Sequence, residues 1–271
     1  MTGTGEEPAG AAACPICAGR RVRPVLRKDG WVVLRCVGCT NGFLAGGAAG
    51  AADRGDVDWH RRQPEAHGRV RRAWRAVGNA LKDVIFGRAF EDRKLRRVLR
   101  WQDRGRLLDV GCARGEFLSV AQRHFEVHGV EVSATALERA HAAFGPRVFA
   151  GDLRDARFAA EMFDVVTLFS TVEHLADPVA VLRECRRVLR EGGILVVKTP
   201  NFSSLNRQLL RGGWSGYKFP EHRFFFSPRG LRYLFASAGL EPLPSSWLER
   251  FPLSDSMYAY ARKGRDGEGE A

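Results

Sequence analysis

From Arg106 onward, short apolar runs alternate with amphipathic segments in the order that a parallel sheet requires. Five apolar runs predict strands: RLLDVG, EVHGVEV, RVFAGDL, FDVVTLFS and GGILVVKTPN. The fourth of them is apolar on both faces, as central strands tend to be. Four amphipathic segments predict helices: EFLSVAQRH, SATALERAHAAFG, DPVAVLRECRRVLREGG and SPRGLRYLFASAGL. The last apolar stretch, SSWLERFPLSDSMYAYARK, predicts a terminal antiparallel strand pair.

Capping residues mark where several of these helices begin and end. Ser133 is placed as an N-cap, Pro178 lies in a first turn, and Gly192 is expected just past a helix end. Ser227 and Pro228 open the last helix in the same way. The boundaries are therefore predicted independently of the apolar pattern.

Near the N-terminus, two short apolar strands flank an Asp29-Gly30 turn, which is the strongest short-range signal for a hairpin. Four cysteines surround this hairpin in the spacing C-x2-C-x18-C-x2-C: Cys14, Cys17, Cys36 and Cys39. Thiolates in this pattern can bind one Zn²⁺ tetrahedrally and leave no open position for a catalytic water. We predict a structural zinc ribbon, with a metal-free site or a redox pair as the alternatives.

The chain between the ribbon and the alternating region is arginine-rich. A Gly/Ala-rich linker is followed by apolar residues at helical spacing, first Val70 to Val84 and then Leu95, Val98 and Leu99. The net charge is +12, but residues 54–106 carry 16 Lys+Arg against 7 Asp+Glu, whereas residues 107–271 carry 21 against 20. The basicity is therefore local, and it indicates a solvated helix face, an anionic lipid surface or an RNA surface.

These patterns divide the chain into six segments. They are a disordered N-terminus (1–13), the zinc ribbon (14–44), a linker (45–66), a basic helical segment (67–104), an α/β domain (105–263) and a disordered tail (264–271). The first residues make neither a signal peptide nor a membrane span, and no apolar run is long enough for one. We therefore expect a soluble cytoplasmic protein, and we expect Cys112 and Cys185 to be apolar core residues.

The turn LLDVGCARGEFL follows the first strand of the α/β domain and has the glycines of a nucleotide-binding turn. Such a turn lets the backbone pass close to a ligand and directs helix N–H groups at it. Glu131 ends the second strand 22 residues after Asp109, the usual place for an acid that accepts from ribose hydroxyls. Ala113 stands where a third glycine is expected, and it is tolerated there if its φ is negative. The turn alone suits a dinucleotide or an adenosyl cofactor.

The order of the motifs separates these two cofactors. LLDVGCARGEF, VEVS, AGDL, FDVVTLFSTVEHLADP and VLREGGILVVKTPN resemble the class I S-adenosylmethionine-dependent methyltransferases, in the branch of ubiquinone-biosynthesis and sugar O-methyltransferase-like proteins. The resemblance covers about residues 105–262. It implies a Rossmann-like, doubly wound, seven-stranded sheet that ends in the antiparallel pair.

The resemblance also implies a set of cofactor-binding residues. Asp109, Gly111 and Gly115 would surround the methionine part, Glu131 would accept from both ribose hydroxyls, and Asp152 with Leu153 would border the adenine. Ser170 and Thr171 lie where family members approach the sulfonium and the substrate. The whole cofactor-binding set is Asp109, Gly111, Cys112, Ala113, Gly115, Glu131, Val132, Asp152, Leu153 and Ser170.

Three residues are candidates for catalysis: Glu173, His174 and His222. Either histidine could serve as a general base for an oxygen nucleophile, or it could fix a loop by bonding backbone carbonyls. The Glu-His pair resembles the metal-assisted E-x-x-E-H site of ubiquinone-type enzymes, but Ser170 replaces its first Glu, which argues against a catalytic magnesium. Aromatic residues crowd the segment after the fifth strand, either as core packing or as a platform for a sugar or aromatic acceptor: Trp214, Tyr217, Phe219, Phe224, Phe225 and Phe226.

We therefore expect an O-methyltransferase that uses S-adenosylmethionine and acts on a small molecule or glycan. The alternative is an RNA methyltransferase whose zinc ribbon and basic helices dock the nucleic acid. A third interpretation is a non-enzymatic partner protein with a degenerate cofactor site, for which Ala113 gives slight support. The sequence identifies neither the acceptor nor the oligomeric state.

Overall fold

The computed structural model describes residues 13–45, 88–246, 249 and 253–265. The helical pattern Val70 to Val84 lies outside these ranges, and so do all but residue 45 of the predicted linker, all but residue 13 of the predicted disordered N-terminus and all but residues 264 and 265 of the predicted disordered tail. The second helical pattern lies inside them and forms a helix, which we call α1 (Arg88–Val98), with Leu95 and Val98 buried. Within the described ranges, no helix has the length and apolarity needed to cross a lipid bilayer.

Seven strands form the central sheet, in the spatial order β10, β11, β8, β7, β4, β5, β6. All neighbours are parallel except β11, which runs antiparallel to both β8 and β10. Their bounds are β4 (Gly105–Val110), β5 (Phe125–Glu131), β6 (Val148–Ala150), β7 (Phe163–Phe169), β8 (Leu189–Pro200), β10 (Glu241–Leu243) and β11 (Ser256–Arg262). The predicted Rossmann-like sheet with a terminal antiparallel pair is confirmed.

Five further helices connect or follow these strands: α2 (Glu116–Ala121), α3 (Ala134–Phe144), α4 (Pro178–Val188), α5 (Leu205–Leu210) and α6 (Pro228–Ser237). The two predicted serine N-caps lie where the sequence predicts them. The Ser133 hydroxyl accepts from the Ala136 N–H, and the Ser227 hydroxyl accepts from the Gly230 N–H. These side chains satisfy N–H groups that the first helical turns cannot pair internally.

Two predicted boundaries are wrong. The terminal pair was expected within residues 245–263, but its first strand, β10, begins at Glu241. The chain reverses at Gly239 (φ 74°) and enters the edge of the sheet directly. Pro242 fits this edge strand because proline has no N–H group to pair. The helix α4 ends at Val188 rather than beside Gly192, because the fully buried Leu189 already pairs with β7. Gly192 (φ 72°) instead lies in the irregular start of β8.

The ribbon forms β1 (Val22–Lys28), β2 (Trp31–Cys36) and β3 (Gly42–Leu44), and the hairpin turns at Asp29 and Gly30 as predicted. Its third strand pairs with β9 (Phe224–Phe225), a two-residue strand of the α/β domain. The ribbon cysteines belong to the same buried core as α4 and α6. The ribbon is therefore part of one four-stranded sheet shared with the α/β domain.

Candidate functional site

The predicted cofactor residues meet at one edge of the central sheet. Four adjacent strands of the sheet lie in the order β7, β4, β5, β6. Because they are parallel, their carboxyl ends lie at the same edge. The chain leaves β4 toward β5 on one side and returns to β7 on the other, which makes β4 the point where the strand order reverses. Ligands of open α/β sheets bind in the crevice at such a point.

The turn after β4 depends on two glycines. Gly111 has φ 75°, and a Cβ added there would lie 2.5 Å from Thr171 Oγ1. Gly115 has φ 82°, and a Cβ there would lie 2.7 Å from the Phe144 ring. Both positions therefore require glycine for backbone conformation and for packing.

The expected conformation of Ala113 is wrong. Its φ is 50°, in the left-handed region, rather than negative. Its N–H donates to Glu131 Oε2 at 2.8 Å, and this bond compensates for part of the strain of a methyl-bearing residue in that region. The turn thus binds the strand-end carboxylate of β5 directly.

Glu131 is held by two backbone donors. Besides the bond from Ala113, its Oε1 accepts from the Ser133 N–H at 2.7 Å, and the residue is 8% exposed. Each carboxylate oxygen has a second lone pair, so the group can still accept two hydroxyl protons in fork geometry. The residue next to it, Val132, is 66% exposed although apolar, as expected of a surface that a ligand ring covers. These residues fit an adenosyl group.

The remaining predicted cofactor residues differ in their exposure. Asp152 accepts from both the N–H and the guanidinium of Arg154 and is half-exposed, whereas Leu153 is buried in the core. Asp109 is buried, accepts from Thr167 Oγ1 at 2.6 Å and connects β4 to β7. Burial raises the pKa of Asp109 to about 7. Cys112 is also buried, with Sγ against Gly129, so its side chain lies in the core while only its backbone belongs to the turn.

The three catalytic candidates lie together although 48 residues separate His174 from His222. One ligand atom from each of Glu173, His174 and His222 lies within 4.8 Å of the others, close enough for all three to bind one metal ion. The two imidazole rings meet edge to face with centroids 4.7 Å apart. They reach this point because the N–H groups of Arg223 and Phe224 both donate to the Glu173 carbonyl.

Hydrogen bonds fix the tautomers of both histidines. His174 Nδ1 lies 3.0 Å from the Glu221 carbonyl and His222 Nδ1 lies 2.8 Å from the Gly216 carbonyl, and a carbonyl can only accept. Both Nδ1 atoms therefore carry the proton, and Nε2 is the basic nitrogen of each ring. Burial lowers the pKa of both imidazoles, that of His222 to about 3. Burial also raises the pKa of Glu173 to about 7, while its Oε2 accepts from Thr199 Oγ1.

Three polar residues at this edge were missed from the sequence. Lys198, near the end of β8, points its ammonium to Ser170 Oγ at 3.4 Å, and Lys94 of α1 lies 5.1 Å from the centroid of the Phe169 ring. Both ammonium groups lie 5.0 Å from the centroid of Phe90. Glu91, on the same turn of α1, pairs with Lys94 at 2.9 Å. A sequence signal existed for one of them, because Lys198 is the only charged residue in the apolar run ILVVKTP.

The aromatic segment after β8 is mostly core. Trp214, Phe224, Phe225 and Phe226 are 0–5% exposed, so they cannot form a platform that is open to an acceptor. Trp214 and Phe225 pack with Val33 and Leu44 of the ribbon and with Phe202. The ribbon therefore supports the segment that carries His222.

The four ribbon cysteines are arranged for a metal. Their Sγ atoms all lie within 4.8 Å of one another, with 3.6 Å between Cys14 and Cys39 and 3.5 Å between Cys17 and Cys36. Tetrahedral Zn–S bonds place sulfurs about 3.8 Å apart, so the arrangement suits a closed tetrathiolate site.

The turn that carries the last two cysteines is bonded to α6. Asn41, which has no exposed surface, accepts from the Ser227 N–H at 3.2 Å and donates from Nδ2 to the Gly230 carbonyl at 3.1 Å. Thr40 Oγ1 lies 2.6 Å from Ser227 Oγ. On the other side of β3, the Leu44 N–H donates to the Arg223 carbonyl, next to His222. Hydrogen bonds thus join the segment from Thr40 to Leu44, which follows the last cysteine, to the segment of the α/β domain that begins next to His222.

Comparison with known proteins gives a consistent result. A family model described as a methyltransferase domain matches residues 82–245. A ubiquinone biosynthesis O-methyltransferase of Cereibacter sphaeroides is 31% identical over 169 residues, which cover 58% of this chain and 68% of the relative.

Among solved structures, an S-adenosylmethionine-dependent methyltransferase of Archaeoglobus fulgidus matches with a TM-score of 0.54 at 20% identity, over 68% of this chain and 98% of the other. A Thermotoga maritima protein described as a possible histamine N-methyltransferase matches with a TM-score of 0.53 at 22% identity, over 70% of this chain and 96% of the other. At these identities the structures support the fold alone.

Proposed function

Because the chain belongs to the methyltransferase-domain family and is a class I S-adenosylmethionine-dependent methyltransferase, we propose that it methylates an oxygen of a small-molecule or glycan acceptor. The relative from Cereibacter sphaeroides is named as an O-methyltransferase, which supports oxygen as the acceptor atom. The near-neutral charge of residues 107–271 favours a small acceptor over a polyanion such as RNA.

The cofactor fits the edge formed by β4, β5 and β6. Gly111, Ala113 and Gly115 shape the turn, Glu131 would accept from the ribose hydroxyls, and Val132 and Asp152 would border the adenine. When bound, S-adenosylmethionine supplies an electrophilic methyl group on a sulfonium. The chain contributes alignment and exclusion of water, which account for much of the rate of an in-line displacement.

The observation that carries the proposal is the Glu173, His174 and His222 cluster at the end of β7. A hydroxyl acceptor needs a group that takes its proton, and the Nε2 atoms of both imidazoles are basic nitrogens. We assign this role to His174, because it is partly exposed where an acceptor could reach it, whereas His222 is 4% exposed. Burial lowers the pKa of both rings, and that of His222 to about 3. His222 then orients His174 through the contact between the two rings.

The ribbon has a structural role in this proposal. Four cysteine thiolates would hold Zn²⁺ in a closed shell, so the ion would take no part in methyl transfer. Its contribution would be to order β3 and, through β9, the segment that carries His222.

The proposal can be tested with a panel of acceptors bearing hydroxyl, amine or activated carbon groups, with S-adenosylhomocysteine release as the readout. Transfer to hydroxyls is expected, and transfer only to nitrogen or carbon would refute it. His174→Asn should lower kcat by about 10²–10⁴-fold while the affinity for S-adenosylhomocysteine stays unchanged. The matched control is His141→Asn, because His141 bonds the Val148 carbonyl away from the cluster. Equal loss in both variants would remove His174 from the mechanism.

A further inference from the structure

Lysine is rare in this chain but concentrated at the acceptor side of the site. Only six of the 43 basic residues are lysines. Three of the six lie around the end of β7: Lys94, Lys198 and Lys218. Lys218 precedes His222 by four residues and lies within electrostatic range of Glu173 and both histidines. Each of these side chains carries a compact ammonium with three donors.

Lys198 carries the argument, because its ammonium has no carboxylate partner at ion-pair distance within the described part of the chain. Its ammonium lies 3.4 Å from Ser170 Oγ and 5.0 Å from the centroid of the Phe90 ring. Lys198 lies on the central strand β8, between the buried residues Val197 and Thr199. The Lys198 side chain is partly buried, and a partly desolvated ammonium is stabilised by a counter-ion, so an anionic ligand is expected to bind beside it.

The neighbouring charges do not supply that compensation. Glu91 is already paired with Lys94 through Oε1, and its buried Oε2 has no hydrogen-bond partner among the described residues. Glu173 also lies near Lys198, and it is buried, with Oε2 accepting from Thr199. Burial also raises its pKa to about 7, so it is only partly ionised at neutral pH. The two carboxylates named beside Lys198 are thus one that is already paired and one that is only partly ionised.

We propose that the acceptor carries an anionic group, a carboxylate or a phosphoryl group, and that Lys198 binds it, with Lys94 and Lys218 adding to the positive field. This inference rests on the proposed function and specifies its substrate class. Ser170 lies beside Lys198 and can donate a hydrogen bond to the same anion. The anion would hold the acceptor at the ends of β7 and β8, next to His174.

The orientation of Lys94 agrees with this assignment. Its ammonium lies 5.0 Å from the centroid of Phe90 and 5.1 Å from that of Phe169, and it pairs with Glu91. These three groups of α1 and β7 hold it at the same edge as Lys198. Phe90 itself is 41% exposed. An aromatic side chain between two cations and open to solvent provides an apolar contact for the body of an organic anion.

The test uses the full-length protein saturated with S-adenosylhomocysteine and three probes of similar shape: benzoate, phenyl phosphate and neutral benzamide. Binding is followed by nuclear magnetic resonance for wild type, Lys198→Met, Lys198→Arg and the control Lys28→Met, a lysine on the ribbon outside this group. At least one anion should bind wild type more tightly than benzamide. Lys198→Met should lose at least about tenfold of that affinity, whereas Lys28→Met should lose none.

The outcomes separate the two proposals. If wild type binds S-adenosylhomocysteine but binds neither anion better than benzamide, the anionic acceptor is refuted and methyl transfer stands. If Lys198→Met and Lys28→Met bind the anions equally well, Lys198 is not the binding residue. If wild type fails to bind S-adenosylhomocysteine, the proposed function itself fails. Partial recovery in Lys198→Arg would show that charge, rather than a folding defect, explains the loss, and the preferred probe identifies carboxylate or phosphoryl.

Discussion

The side chain of Asn41 bonds the ribbon to the α/β domain, and replacing it with alanine should weaken this junction. The amide accepts from Ser227 N–H and donates to the Gly230 carbonyl, at 3.2 and 3.1 Å, in a site without solvent exposure. Asn41→Ala removes both bonds and leaves the buried Ser227 N–H without its partner, whereas the Gly230 carbonyl keeps the hydrogen bond that it accepts inside α6. Ser227, the N-cap of α6, loses the contact that holds its backbone at the same time.

The magnitude follows from the Ser227 N–H. A buried polar group left without a partner costs about 1–3 kcal/mol, so the variant should lose about 1–3 kcal/mol of unfolding free energy. Asn41→Asp keeps the acceptor for Ser227 but places a carboxylate oxygen against the Gly230 carbonyl, so it should also be destabilised. Asn206→Ala is the matched control, because its amide makes one exposed bond to the Leu253 carbonyl, and exposed changes cost within about 0.5 kcal/mol.

Urea unfolding at saturating zinc measures these losses, and calorimetry with S-adenosylhomocysteine reports on the cofactor edge. The cofactor affinity of Asn41→Ala should hold, because Glu131 and the glycine turn do not contact the ribbon residues named above, while kcat should fall as His222 loses its support. A loss no larger than that of Asn206→Ala would refute the reasoning. A fall in cofactor affinity with kcat unchanged would refute it equally.

Three further changes probe the site. Gly111→Ala should destabilise the fold by about 2–4 kcal/mol in thermal unfolding, because φ is 75° and the new Cβ would lie 2.5 Å from Thr171 Oγ1; an unchanged melting temperature would contradict this. Ala113→Gly relieves a φ of 50°, so it should keep cofactor affinity and gain up to about 1 kcal/mol, and weaker binding in calorimetry would argue against it. Burial raises the pKa of Glu173 to about 7, so the folded state binds its proton more tightly than the unfolded state, and stability falls as pH rises from about 4.5 to 7. Glu173→Gln should flatten this decline by up to about 3 kcal/mol, measured by urea unfolding across that range; an unaltered slope would contradict the shift.

The sequence predicted most of the fold because its signals are local. Apolar runs, Ser133 and Ser227 as caps, and Asp29-Gly30 as a turn each act within a few residues, and all of them recur in the structure. The cysteine spacing likewise brings four sulfurs together. The site residues at strand ends follow from topology, because parallel strands bring their carboxyl ends to one edge.

The features that sequence could not predict are contacts between distant segments. A two-residue strand such as β9 has no pattern of its own, and it forms because β3 supplies the partner. The left-handed conformation of Ala113 depends on Glu131, which accepts its N–H. Lys94, Lys198 and Lys218 come from three different elements, and only the fold shows that their charges share one place.

The pairing of β3 with β9 also affects the order in which the molecule can assemble. Gly42 pairs with Phe225, 183 positions later, so this contact is among the most distant in sequence within the described part of the chain. Closing such a loop carries an entropic cost that local contacts do not. During synthesis the ribbon leaves the ribosome before β9, so the edge of β3 stays unpaired until β9 has been synthesised. The pairing of β3 with β9, which supports the segment that carries His222, is therefore expected to form late. A chain released before β9 is made would keep β3 as an unpaired strand edge.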